Sequence, residues 1–181
     1  IFYNRRCVGN LVSSGTVIQT SPAKNVNIGI RGDSFVVGHI PLEEITDPEN
    51  PFSFLVSGVG WLVRNGKSYI DESLELDKED ISHQESTFIT SSIARTVLGY
   101  DSHGRLLLLH VNGNSDSETL QESNIKGLGL QELAAWAVEL GFINAVNLVG
   151  GDQANLVERN ALISLPSGAC DNVSKYSPFR C

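Results

Sequence analysis

Side chains able to meet a ligand concentrate in the stretch N-L-V-G-G-D-Q-A-N-L-V, from Asn147 to Val157. An apolar pair, Ala145-Val146, leads into it, and Gly150 and Gly151 stand where a strand should end. Glycines let the backbone reach positive φ and let a ligand approach the main chain closely. Asn147, Gln153 and Asn155 carry amides that both donate and accept hydrogen bonds, a chemistry suited to sugar hydroxyls. Asp152 is the only carboxylate of the stretch. It has three readings: a catalytic group, a cation ligand, or a cap on the turn after the glycines, the last being the default for Asp at such a place.

These residues need elements to hold them. Asn144 to Leu148 reads as the strand that delivers the stretch. Before it, Leu130, Leu133, Ala134, Ala137 and Leu140 recur at helical spacing, and Gly141 supplies a left-handed stop. Asn27 to Arg31 and Ser34 to Val37 read as strands around Gly32-Asp33. Leu55 to Arg64 and Ser68 to Ile70 flank Asn65-Gly66, a type I′ hairpin signal. Ala94 to Gly99 and Arg105 to Val111 form another hairpin, turned at Asp101 to Gly104. Leu156 to Glu158 and Ala161 to Leu165 flank Arg159-Asn160 as a last one. Asp71 to Ser86 is acidic and reads as a surface excursion, Asn112 to Asn124 as a loop. Trp61 and Trp136 fit strand and helix packing, with Trp61 also able to line a sugar platform. The sum is an α+β domain with a mixed, mostly antiparallel sheet and few helices.

The chain has 181 residues, 41% apolar and 19% charged, which fits one globular domain. A net charge of −8 without a basic block disfavours phosphate-driven binding to nucleic acid. Apolar runs fall short of the roughly 20 residues of a membrane helix. His83, His103 and His110 lack metal-ligand spacing, and neither a metal nor a cofactor is implied. The chain starts at Ile1 and contains no Met, which suggests a processed product or a fragment. Cys170 and Cys181 flank a polar loop, so a local disulfide would close residues 166–181. The competing reading is three reduced thiols in a cytosolic protein. Asn172-Val173-Ser174 is a glycosylation sequon, permissive for a secreted protein.

Several blocks resemble the phosphodiester glycosidase family. Asn147 to Asn155 resembles its N-L-D-G-G-G-S-A-T, and Cys7-Val8-Gly9-Asn10 its C-L-G-N. Phe2-Tyr3 stands at the end of its N-G-G-F-F. Val56 to Gly66 resembles S-G-V-x-W-L-x-R-N-G, with Ser57 and Gly58 at its start. Ala94-Arg95-Thr96 with Gly99 resembles A-R-T-A-x-G, and His110 with Gly113 resembles H-A-D-G. The resemblance implies a glycan site drawn from Ser57, Gly58, Thr96, His110, Asn112, Asn147, Gly150, Gly151, Gln153 and Asn155.

Glycosidic cleavage uses a proton donor and an opposing carboxylate. A phosphate leaving group needs less protonation, but its charge must be held by Arg or backbone N–H groups. Arg95 is the cation the resemblance offers, against a structural ion pair on a strand. The carboxylates are replaced: Val149 and Asn112 stand where the family has Asp, and neither side chain serves as a general base. The expectation is therefore a secreted glycan-recognition protein, lectin-like or part of a toxic or defence protein, for an N-acetylglucosamine-like or phosphoglycan ligand. The alternative is an active hydrolase that releases N-acetylglucosamine from a sugar-1-phosphodiester through Arg95 and Asp152. The family domain continues upstream of Ile1. Residues 1–165 would then be its C-terminal part, completed by a second polypeptide that Cys7 tethers, because the matching family cysteine pairs with the upstream half.

Overall fold

A computed structural model gives the fold, described over residues 2–3, 6–7, 9–77, 89–113, 126–151 and 154–164. Two short strands, β1 (Phe2–Tyr3) and β2 (Arg6–Cys7), pair first, with Phe2 opposite Cys7. One five-stranded sheet follows, built from β3 (Leu11–Ser13), β4 (Thr16–Gln19), β5 (Val26–Arg31), β6 (Ser34–Gly38) and β7 (Phe54–Gly58) in the order β4-β3-β7-β5-β6. The helix α1 (Leu42–Ile45) sits between β6 and β7 in sequence. A second five-stranded sheet contains β8 (Trp61–Arg64), β9 (Lys67–Ser68), β10 (Arg95–Asp101), β11 (Leu106–Val111) and β12 (Phe142–Gly150), ordered β11-β10-β12-β8-β9. Two more helices, α2 (Ile70–Asp77) and α3 (Leu130–Glu139), and a hairpin of β13 (Val157–Glu158) with β14 (Ala161–Leu162) complete the described elements. The class is α+β, and both five-stranded sheets are antiparallel.

The turns carry the register. Ser14-Gly15, Asn65-Gly66 and Arg159-Asn160 each place both central residues at positive φ, the type I′ form whose twist matches paired strands. α3 starts where the Gly129 N–H donates to the Glu132 carboxylate at 3.2 Å and ends at Gly141, φ 86°.

The layers stack as helix, sheet, sheet. Leu130, Leu133, Ala134 and Ala137 of α3 pack on Leu62, Val97 and Ala145 of the second sheet. The opposite face of that sheet, through Trp61, Leu98 and Val146, meets Val26 and Ile28 of the first. The outer side of the first sheet buries Val12 and Leu55 with Ile45 and Phe52. Apolar burial of this kind stabilises by roughly 25 cal/mol per Å².

Four expectations are corrected. Leu55 to Arg64 is not one strand: it breaks at Val59-Gly60, and its halves belong to different sheets. Gly60 takes φ 90°, and a Cβ there would lie 2.8 Å from the Ile70 side chain. Strand after the Asn65-Gly66 turn stops at Ser68, because Ile70 opens α2. The acidic segment from Asp71 is helical rather than loop as far as Asp77, with Asp71, Glu72 and Glu75 exposed, and residues 78–86 lie outside the described residues. Ile70 and Ser73 face inward while Asp71 and Glu72 sit outside in the first turn, where negative charge suits the helix dipole. Trp136 does not pack inward; it is 52% exposed on α3.

Candidate functional site

The pleat of β10 divides the block Ala94-Arg95-Thr96. Successive strand side chains point to opposite faces. Arg95 turns toward the helical layer, is fully buried, and donates from Nε to the Leu128 carbonyl and from Nη2 to the Ser91 carbonyl, both at 3.0 Å. It ties the approaches to β10 and α3 together. In this arrangement the guanidinium has no solvent contact, so Arg95 acts as a buried structural tie rather than an open anion receptor.

Thr96 points the other way. Its register partners are His110 on β11 and Val149 on β12, and its Oγ1 lies 3.0 Å from His110 Nδ1. Burial pushes the His110 pKa below its ordinary 6.5, and a side-chain hydrogen bond with Asn112 opposes that shift. Gly150 pairs with Arg95 on β12. Gly151, at φ 66°, donates its N–H to the Ala94 carbonyl at 2.9 Å. Of the two glycines only Gly151 uses positive φ. Gly113 fits against the Ala94 N–H and Gly127, where a Cβ would come within 2.6 Å of both backbones. So three sequence-distant blocks meet at one end of the second sheet. Among the described residues of segments 94–96, 110–113 and 147–151 there is no carboxylate.

Ser57, Gly58 and Asn147 form a separate cluster where the chain crosses between sheets. Ser57 Oγ accepts from the Asn10 N–H at 2.6 Å and donates to Asn27 Oδ1 at 2.7 Å. Asn10 Nδ2 also donates to Asn27 Oδ1, at 3.1 Å. Asn147 is fully buried, donates from Nδ2 to the Val59 carbonyl at 3.1 Å, and leaves Oδ1 without a hydrogen-bond partner. Gly58 lies against the Asn147 carbonyl, so no side chain fits there. A cavity of about 470 Å³ opens beside this network, lined by Asn10, Ser21, Lys24, Asn25, His39 and Leu42 among others. The Asn27 and His39 roles were missed from sequence, although Asn27 interrupts the apolar run of β5 and so signals a buried polar group.

Asn155 is exposed, next to Ala154, whose N–H donates to the Gly151 carbonyl at 3.0 Å. Asp152, Gln153, Cys170, Asn172, Cys181 and His83 lie outside the described residues, as does the Cys7 side chain. Among the described residues no cluster of His, Cys, Asp or Glu could hold a metal ion, and no helix is long and apolar enough to cross a membrane.

A family model described as phosphodiester glycosidase matches residues 2–176. The N-acetylglucosamine-1-phosphodiester alpha-N-acetylglucosaminidase of Mus musculus is 39% identical over 170 residues, covering 92% of this chain and 31% of that protein. Its Bos taurus counterpart is 38% identical over 178 residues, covering 96% and 32%. The chain thus spans about a third of the length of these curated relatives. Among solved structures, the zebrafish catalytic domain of the same name, auto-inhibited by its pro-peptide, superposes with TM-score 0.81 at 34% identity, over all of this chain and 57% of that one. A hypothetical protein from Synechocystis, 14% identical, shares the fold with TM-score 0.65 over 92% of this chain and 48% of its own. With the match running from residue 2 to 176, and with the A-R-T, H-x-N-G and glycine blocks meeting at one sheet end, the chain belongs to the phosphodiester glycosidase family.

Proposed function

We propose that this chain is the C-terminal part of a phosphodiester-glycosidase-like domain that recognises a glycan of N-acetylglucosamine character, with catalysis lost or much reduced. The observation that carries the proposal is the composition of the sheet end around Thr96 and His110. It offers a hydroxyl, an imidazole and an amide, which suit sugar hydroxyls. Val149 and Asn112 occupy two places where the family's pattern has Asp, so the acid–base pair that glycosidic cleavage requires is missing there. The curated relatives are named for N-acetylglucosamine-1-phosphodiester, which supports the ligand class. Residues 1–165 form the domain part and 166–181 a loop closed by Cys170 and Cys181. A second polypeptide completes the domain, linked through Cys7. The Asn172 sequon supports a place in the secretory pathway, in a lectin-like or a toxic or defence role.

The test uses natural material and two readouts: release of N-acetylglucosamine from a sugar-1-phosphodiester, and binding on a glycan array. Binding without turnover is expected, and Val149→Asp with Asn112→Asp should raise turnover. Substantial turnover by the unaltered protein overturns the proposal. If that turnover disappears in Asp152→Asn, the hydrolase reading takes its place. Silence in both assays removes both readings. Intact mass before and after reduction tests the Cys7 link separately: an unchanged single species sinks it.

A further inference from the structure

The two sheets do not cover each other completely. Phe35 on β6 stacks on Tyr100 of β10, ring centroids 4.8 Å apart and planes 9° from parallel. The last strand of the first sheet therefore lies over β10, while the facing sheet extends one strand further, to β11. Along β11, Leu107, Leu109 and Val111 pack on the helical side. Leu106 and Leu108 face the other way and stay 54% and 52% exposed. Their register partners Tyr100 and Leu98 are covered by the first sheet or border it. Neighbouring strands lie about 4.8 Å apart and packed sheets about 10 Å apart, so the next strand position beyond β6 stands directly over Leu106 and Leu108. β6 is also an edge: its outer backbone groups have no strand partner among the described residues, and proteins pair or shield such edges.

We propose that the outer edge of β6 receives an added strand, apolar on alternate residues, whose apolar side covers Leu106 and Leu108. The occupant is a segment of the family domain beyond the part this chain matches, since the match spans 57% of the zebrafish domain. This rests on the reading that further polypeptide completes the domain. His110 continues the Leu106, Leu108 row on the same face of β11, so the added strand also forms one wall of the Thr96–His110 site. Affinity in such strand addition comes from main-chain hydrogen bonds, and specificity from alternate side chains.

Hydrogen exchange on the natural protein, read by mass spectrometry across β5, β6 and β10, tests the surface. Every amide of β6 should exchange as slowly as those of β5. Leu106→Asp with Leu108→Asp, expressed from the complete natural gene, should lose that protection at β6 while β5 and β10 keep theirs. Val157→Asp, at another exposed apolar position, should change nothing at β6. If the Asp pair unfolds the domain, Leu106→Ser with Leu108→Ser reads the same loss. Alternate β6 amides exchanging within seconds in the natural protein, or protection surviving both double variants, overturns the proposal. The companion mass measurement shows whether a second chain is present at all, so the two readings fail separately.

Discussion

At the residue scale, Thr96, His110 and Asn112 make a titrating unit whose behaviour follows from burial. His110 is held below its ordinary pKa by desolvation, against the Asn112 hydrogen bond. Asn112→Ala should therefore lower the His110 pKa further, read as an imidazole titration by NMR; a rise would contradict the contact. The folded state favours neutral His110, so its contribution to stability is present above about 6.5 and declines as pH falls below it. Asp101 behaves in the acidic range. The Arg105 backbone N–H, above all, lowers its pKa from 3.8 to about 2, with help from the Arg105 guanidinium and the His103 N–H against desolvation. A depressed carboxylate stabilises above its unfolded value and loses that effect as pH falls through its folded value. Asp101→Asn should thus be less stable than the parent above pH 3.8, with the gap closing toward pH 2, in urea titrations at stepped pH. Gly58 is a tight steric position at the crossing between the sheets. Gly58→Ala pushes a methyl into the Asn147 carbonyl and the Val146 side chain, and should cost about 1–3 kcal/mol, the usual range for overpacking.

At the element scale, most of the hairpins were legible because their turns need residues that tolerate positive φ. Asn65-Gly66 and Arg159-Asn160 fixed registers that the structure reproduces. Ser14-Gly15 uses the same geometry but sits between strands of three and four residues, too short for an alternation to show. The α2 segment was read as a loop because its acidic outer face dominates the composition, while its inward face rests on few residues. The split of Leu55 to Arg64 had a visible cue in Gly58 and Gly60, yet apolar residues on both sides of them hide a change of sheet. Gly141 caps α3 with open space around its would-be Cβ, so Gly141→Ala should show backbone strain alone, about 1 kcal/mol, in thermal unfolding.

At the scale of the molecule, the site blocks could be named from sequence, but their grouping could not. Arg95 and Thr96 are adjacent in the chain and opposite across the sheet, while Thr96 and His110 are distant in the chain and in contact. Ser57 and Asn147, part of the expected ligand set, sit at the joint between the sheets. That joint is dense: the Val59 N–H donates to the Asn147 carbonyl at 2.8 Å and the Asn147 N–H to the Gly60 carbonyl at 3.1 Å. Such coupling makes the sheets one folding unit. Leu55→Ala in one sheet and Leu62→Ala in the other, both fully buried, should each cost about 2–5 kcal/mol. Each should shift a single transition seen identically by far-UV circular dichroism and by fluorescence; two resolved transitions would contradict the coupling.

The two tryptophans turn that joint into something that can be watched. Trp61, 7% exposed, lies just past the crossing, edge-on to Tyr69 with centroids 5.2 Å apart and beneath the Arg64 guanidinium at 4.9 Å. Trp136 is half exposed on α3. Emission from the first should therefore be blue-shifted and shielded from aqueous quenchers, while the half-exposed Trp136 should emit further to the red. With Trp136→Phe the chain carries one optical probe, seated where the sheets meet. A ligand or partner strand that moves one sheet against the other would register there as a change in colour, without any label being added.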